Sequence, residues 1–211
     1  MPNLNDIWLF RIISIDNLTA DLARGLFSKL NAPNDGARIV IGNTEIITQR
    51  DKREVLCFPG TVVNNFVPFY FSVRTPMLYN IHSGHGVPQI HQKNIVYLCI
   101  PLLDLANPDF NWCFTDGNAA KRITRYYTSL AEIDSLDWPS IKTTDFSHDN
   151  ADGDEDRIRK KHAEFLVRNH VPSNKIKGIA VYNQEARDRV LQIMQAQNLK
   201  IEIKIKKGFY F

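Results

Sequence analysis

The sequence predicts an α+β domain, and three observations predict it. Apolar segments rich in β-branched and aromatic residues, such as 7–15 and 95–102, read as buried strands. Segments with helical spacing, such as 185–197, fall among them without the regular strand–helix alternation of a doubly wound sheet. The 211 residues are 44% apolar and 23% charged, which suits a single domain over residues 1–211 with its own core.

The elements follow in chain order. Residues 7–15 are dense in Ile, Leu and Phe and form the first strand. Asp16 and Asn17 offer helix-capping oxygens, and Leu18, Leu22 and Leu26 recur at helical spacing while Gly25 weakens the turn. Residues 31–35 hold Pro and Asn and make a loop. Ile39-Val40-Ile41 leads through Gly42-Asn43 into a helical segment over 45–52. Residues 62–73 are a buried strand in which Pro68 demands a bulge or an edge. Pro76 sits in the first turn of a short helix reaching Ile81. Strands are expected over 95–102 and 112–115, and a helix over 119–130 carrying Tyr126 and Tyr127. The polar, acid-rich segment 147–156 reads as an exposed loop. After a basic run come strands at 165–167 and 179–182, the helix 185–197 and a strand at 201–205. Its alternating Ile and Lys mark an edge guarded by lysines.

Composition excludes several classes. A net charge of +3 does not announce a nucleic-acid partner, so any such surface must come from local clustering. Cys57, Cys99 and Cys113 are odd in number and sit in apolar settings, which reads as reduced thiols and not a disulfide framework. There is no basic leader followed by an apolar run, and no apolar stretch nears the ~20 residues of a membrane helix; a cytoplasmic location is expected. Gly84-His85-Gly86 lacks the third glycine and the apolar helix of a dinucleotide fingerprint, so a nucleotide would need another architecture. His82, His85 and His91 are closely spaced, but no nearby carboxylate or cysteine pair completes a zinc set, and no metal is expected.

Three charged features stand out. Arg50-Asp51-Lys52-Arg53 and Lys160-Lys161-His162 each read, on composition, as solvated helix ends. Glu164 lies between Ala163 and Phe165-Leu166-Val167, where a strand enters the core. A carboxylate there loses hydration energy unless it has partners or works chemically. Taken alone, it reads as a satisfied structural glutamate.

A set of motifs in register changes that weighting. They are Ile13-Ser14-Ile15-Asp16-Asn17-Leu18, Phe66-Val67-Pro68-Phe69-Tyr70-Phe71, Thr75-Pro76-Met77-Leu78, Phe114-Thr115-Asp116 and Tyr126-Tyr127. Leu136-Asp137-Trp138, Ala163-Glu164-Phe165-Leu166-Val167, Ile179-Ala180-Val181-Tyr182 and Gly208-Phe209-Tyr210-Phe211 complete the set. Spread through nearly the whole chain, they resemble the DarT family of DNA ADP-ribosyltransferase toxins. The resemblance implies the ADP-ribosyltransferase fold: two small packed antiparallel sheets with flanking helices and NAD in the cleft between them. It implies an enzyme that uses NAD as co-substrate and attaches ADP-ribose to a base of single-stranded DNA, thymine first and guanine second. It further implies a toxin–antitoxin setting with a macrodomain-type antitoxin as partner. RNA or protein as the acceptor, or a catalytically silent nucleic-acid or NAD-binding module, are the alternatives.

On this resemblance Glu164 is the catalytic glutamate. Arg50, closing Ile46-Ile47-Thr48-Gln49-Arg50, is the arginine beside it, with Arg53 its nearest competitor. Arg11, Ile12 and Ile13 take first-strand positions that line NAD, and Tyr70 and Met77 take positions near the nicotinamide. Ala20 and Ser28 match lesser NAD contacts. Asn118 stands where several family members carry His, on the wall near the DNA. Residues 147–161 match a mobile substrate-selecting loop. Phe146, Tyr126 or Tyr127 is expected to stack a nucleobase, and Arg157, Arg159, Lys160 and Lys161 to face the strand. A carboxylate facing the cation-like sugar stabilises it, and the proton of the attacked base needs an acceptor, for which Glu164 is a candidate. Arg50 either polarises a base carbonyl or holds the pyrophosphate.

Overall fold

The computed structural model describes residues 2–34, 38–145, 153–154 and 156–211. Its strands are β1 (Trp8–Ser14), β2 (Leu26–Phe27), β3 (Phe66–Tyr70), β4 (Ile95–Pro101), β5 (Trp112–Thr115), β6 (Tyr126–Tyr127), β7 (Glu164–Arg168), β8 (His170–Val171), β9 (Gly178–Val181) and β10 (Glu202–Ile205). Its helices are α1 (Leu18–Arg24), α2 (Thr44–Arg50), α3 (Pro76–Ser83), α4 (Leu102–Leu105), α5 (Trp138–Lys142), α6 (Arg157–Lys161) and α7 (Gln184–Ala196). The α+β class and most of the expected elements are present. One sheet runs in the order β10-β9-β4-β1-β3-β7-β5-β6, with β2 and β8 as a separate pair. Its pairs are antiparallel except β9 with β10, which run parallel and are linked by α7, the crossover a parallel neighbour needs.

The sheet consists of two four-stranded halves meeting at a seam. β1 pairs with β4 along its full length, from Trp8–Pro101 to Ser14–Ile95, but with β3 only at Phe10–Tyr70. Pro68 supplies the reason. The N–H and C=O of one strand residue point to the same side, so 66, 68 and 70 address β1 while 67 and 69 address β7. Pro68 has no N–H to offer β1, and its carbonyl accepts from the Arg11 guanidinium at 2.9 Å instead. The bulge or edge expected at Pro68 is thus an interior strand that behaves as an edge on one side. The halves correspond to the two small sheets of the expected fold, joined by one residue pair, except that one half ends in the parallel β9–β10 pair where both sheets were expected antiparallel.

Alternation along β3 and β7 then decides what faces the seam. Val67, Phe69, Phe165 and Val167 enter the main core with Leu9, Leu22 and Val190. Phe66 and Leu166 point the other way, into a small cluster with Val55, Cys113 and Ala119. Period-2 geometry therefore sends Pro68, Tyr70 and Glu164 to that same face, at its open end.

Two sequence expectations are corrected. The 18-22-26 leucine spacing does not carry α1 through Leu26, because Gly25 ends the helix at φ +85° and Leu26 pairs with Val171 in β2–β8. A Cβ on Gly25 would lie 2.4 Å from the Val171 carbonyl oxygen and 2.5 Å from His170 Nε2, so the chain turns there backbone against backbone. Residues 119–130 are not a helix. A turn at Asn118–Lys121 leads into β6, where Tyr127 stacks on Phe114 at 5.1 Å and the Tyr126 hydroxyl donates to the Ala119 carbonyl at 2.6 Å. Ala119, Ile123, Tyr126, Tyr127 and Leu130 recur at helical spacing, but pairing of β6 with β5 and the Tyr127–Phe114 stack override it and leave Ile123 67% exposed.

Lys161 is 2% exposed, and its Nζ donates to the Ser72 hydroxyl at 3.0 Å and the Ile141 carbonyl at 2.6 Å. It ties α6 to α5 and to the turn after β3, fixing the approach of the chain to Glu164. Burial, with Arg74 nearby, lowers its pKa from 10.5 to about 8.

Gly25→Ala should lower folding stability by about 3 kcal/mol in chemical denaturation, through left-handed strain and a backbone clash. Lys161 supplies a pH test. Below pH 8 the lysine is charged folded and unfolded, and the cost of burying it is fully present. Between about 8 and 10.5 the folded lysine is discharged while the unfolded one still holds its proton, so stability rises with pH. From pH 8 to 10 the protein should gain about 2 kcal/mol relative to Lys161→Met, read from urea midpoints of both forms.

Candidate active site

Arg50 and Glu164 lie 114 residues apart in sequence, and α2 brings them together. Asn43 starts α2 by accepting the amides of Glu45 and Ile46. Asn64 holds its far end, donating to the Ile47 carbonyl at 2.8 Å and the Asp51 carboxylate at 2.7 Å, while Lys29 pairs with Asp51. The last turn is thereby aimed at β7. Arg50 Nη1 and Nη2 meet Glu164 Oε1 and Oε2 at 3.1 and 2.8 Å, a two-point fork. The Ala119 amide donates to Oε1 at 2.9 Å, and the carboxylate is 2% exposed. Burial works against the charge on Arg50, but the charge and hydrogen bonds of Glu164 outweigh it and raise the arginine's pKa.

The turn that delivers Ala119 is itself locked. The Glu164 amide donates to the Thr115 hydroxyl at 3.1 Å, and that hydroxyl donates to the Gly117 carbonyl at 2.7 Å. A Cβ on Gly117 would lie 2.9 Å from the Arg159 carbonyl oxygen, so only glycine lets this turn seat against α6.

The fork stands in a cleft of about 600 Å³ along the seam, ample for a nucleotide. Arg11, Ile12, Ile13, Tyr70, Met77 and Asn118 line it with Arg50 and Glu164. Ala20 and Ser28 do not line it. Ala20 lies on α1, and Ser28 is 1% exposed with its hydroxyl on Asn31 at 2.9 Å, so both belong to the scaffold. The Tyr70 hydroxyl lies 3.2 Å from the Met77 sulfur, and burial and Glu164 raise its pKa. Burial lowers the pKa of Arg11 to about 10; Asp21 opposes this, and Arg38 and Arg50 add to it. Its Nε is buried with no hydrogen-bond partner among the described residues, a donor left over for an anion.

Sequence reasoning missed the residues that hold segment 38–41 over the cleft. Asn17 holds the N-cap position of α1 but its side chain does not cap the helix; its amide donates to the Ile39 carbonyl at 2.8 Å and accepts the Ile39 amide at 3.0 Å, as a strand partner would. Arg38 forks onto buried Asp21 at 2.7 and 2.8 Å. Ile39 and Val40 stay 41% and 60% exposed beside the cleft. Their one sequence signal is an apolar triplet matching neither helix nor strand. His162, read as part of a solvated helix end, lines the cleft too.

The basic run is placed differently from expectation. Arg157 is 8% exposed and donates to the Asp145 carbonyl. Arg159 bridges Asp116 at 2.9 Å and Asp156 at 2.6 Å, and Lys160 bridges Asp154 and Asp137 at 2.9 and 3.1 Å. With Lys161 in the interior, these four cations bind the chain to itself instead of facing a strand, since a buried cation requires partners. Residues 157–161 of the expected loop are α6. Phe146, with 147–152 and 155, lies outside the described residues. Exposed cations occur instead at Lys121, Arg122 and Arg125, on the turn beside Asn118. Of the candidate stacking residues, Tyr127 is taken up by its packing on Phe114. Among the described residues no group of three His, Cys, Asp or Glu could hold a metal, and no helix is long and apolar enough to cross a membrane.

Residues 10–211 match the family model described as ssDNA thymidine ADP-ribosyltransferase, DarT. A DNA ADP-ribosyl transferase of Escherichia coli O127:H6 is 34% identical over 204 residues, covering 96% of this chain and 93% of that protein. The solved structure of Thermus sp. 2.9 DarT in complex with ADP-ribosylated ssDNA superposes with a TM-score of 0.88 at 30% identity, covering 97% of this chain and 96% of that one. Thermus sp. 2.9 DarT in complex with NAD+ gives 0.84 at 29% identity, over 100% of this chain and 99% of that one. A split sheet, a buried arginine–glutamate fork at its seam and a match over nearly the full length agree: the chain belongs to the DarT family of ADP-ribosyltransferases.

Proposed function

We propose that this chain transfers ADP-ribose from NAD to a base of single-stranded DNA, thymine in the first reading and guanine as the alternative to it. On the same reading it acts in the cytoplasm as a toxin whose mark a macrodomain-type antitoxin removes. The observation that carries the proposal is the Arg50–Glu164 fork at the seam, in a chain whose relatives include DNA ADP-ribosyl transferases and a structure holding ADP-ribosylated ssDNA.

NAD brings a glycosidic bond whose cleavage releases nicotinamide and leaves positive charge at the anomeric carbon. Glu164 suits that charge. Of the roughly four acceptor positions of a carboxylate, Arg50 and the Ala119 amide occupy three, which leaves one on Oε2 for a ribose hydroxyl. The carboxylate therefore acts as a fixed negative charge, already oriented before substrate enters. Arg11, with its unused Nε, and Arg38 offer cationic donors to a pyrophosphate. Tyr70, Met77 and Ile12 supply an apolar wall for the nicotinamide end.

A single strand suits this cleft because its bases are already free of a pairing partner. Lys121, Arg122 and Arg125 replace the α6 cations as the phosphate-facing charges, and Asn118, which opens the turn that carries Lys121, lines the cleft with Glu164. The Asn118 Oδ1 accepts the Ala120 amide at 3.0 Å, which leaves its NH2 for a base edge. Of the segment 147–161 expected to select the substrate, 157–161 form α6, and the selecting role is proposed for the residues before it.

Labelled NAD incubated with oligonucleotides, each carrying one kind of base, should label those with thymine, more in single than in double strands, with mass spectrometry locating the adduct. Label on protein or RNA but not DNA would overturn the reading. Glu164→Gln should cut transfer about 10³-fold, as loss of a preorganised electrostatic group does; its induced expression should no longer arrest growth. Neutralising Lys121, Arg122 and Arg125 together should flatten the log–log salt dependence of strand binding by about two units, while Arg159→Gln should leave that slope unchanged.

A further inference from the structure

We propose that His162, through Nε2, accepts the proton that the target nucleobase nitrogen gives up as it bonds to the ribose, an assignment that rests on the base-modification reading above. His162 caps the C-terminus of α6 two residues before Glu164, and its ring shares the cleft wall with Glu164, Tyr70 and Asn118. Its Nδ1 lies 2.9 Å from the Ile158 carbonyl oxygen. A carbonyl can only accept, so Nδ1 carries the hydrogen, and the neutral ring presents a bare lone pair at Nε2. No hydrogen bond to Nε2 occurs among the described residues, and the ring is only partly covered on the side of the cleft. The Tyr70 ring stands 6.3 Å away, centroid to centroid.

The surroundings favour the neutral ring, while the Ile158 bond sets its tautomer. Burial lowers the histidine's pKa from 6.5; the Ile158 bond and Glu164 on β7 oppose that, and Arg50 on α2 and Lys121 on the turn beyond β5 lower it further. Tyr70 on β3 has a raised pKa and stays protonated, so it does not compete as a base. Glu164 has three of its acceptor positions filled, and Arg50 has no lone pair to offer. That leaves His162 as the neutral base in the cleft. The step balances without a co-reactant. The N–H bond of the base breaks, its nitrogen bonds the anomeric carbon, and the bond to nicotinamide breaks with its electron pair going to nicotinamide. The proton resides on Nε2 and then passes to solvent.

The test compares single-turnover transfer to a thymine oligonucleotide across pH 5–9 in wild type, His162→Gln and His162→Ala, alongside NAD cleavage without DNA. Wild-type transfer should fall toward acid with a midpoint below 6.5. Both variants should lose about 10²-fold in transfer and lose that acid limb, while NAD cleavage changes much less. Free imidazole should restore transfer in His162→Ala, measured below its melting temperature so that impaired folding does not decide the result. Variants that keep the acid limb and transfer within about threefold of wild type, or an alanine form that imidazole does not rescue, would overturn the role of His162 alone. Absence of label on DNA with the wild-type protein would overturn the base-modification reading, and this assignment with it.

Discussion

A missing hydrogen-bond donor at Pro68 organises this molecule. Because β3 cannot ladder onto β1 at that position, the sheet parts into two halves that meet only at Phe10–Tyr70. The gap opens on the face to which alternation sends Tyr70 and Glu164, and Arg11 reaches across to occupy the Pro68 carbonyl. The cleft is thus not carved into a finished core. It is where the main-chain ladder stops, and side chains of opposite halves are free to converge there.

The charged centre depends on that opening. A buried arginine–glutamate fork offers little net stability, since desolvation offsets most of the attraction. Here it is held by elements that would be ordered without it: α2 clamped by Asn43 and Asn64, and the Thr115–Gly117 turn that delivers the Ala119 amide. Rigid supports on both sides hold the carboxylate as a fixed, preoriented negative charge. The same economy applies to α6, whose cations are spent on Asp116, Asp137, Asp154 and Asp156 to hold the approach to Glu164.

Legibility in the sequence followed the range of the interaction. Strands such as β4 and β7 announce themselves by apolar density, and α3 by its leading proline. Residues 119–130 misled because stacking of Tyr127 on Phe114 and pairing with β5 are tertiary, and nothing local reports them. The basic run was visible as charge, but two of its acidic partners, Asp116 and Asp137, lie well upstream, so its inward role was not. The Arg50–Glu164 fork spans 114 residues and was reached only through family motifs. His162 and Asn17 carried no signal because their roles rest on a cleft that single-residue patterns do not encode.

The one-pair seam has a thermodynamic corollary. A molecule lodged there touches both halves and acts as mortar between them, so its binding free energy counts toward cohesion of the whole domain. By mass action the apparent stability grows as RT ln(1 + [L]/Kd) with the free concentration of that molecule. A dinucleotide co-substrate seated at the seam would add its own concentration to the terms that decide how long the domain resists opening and proteolysis.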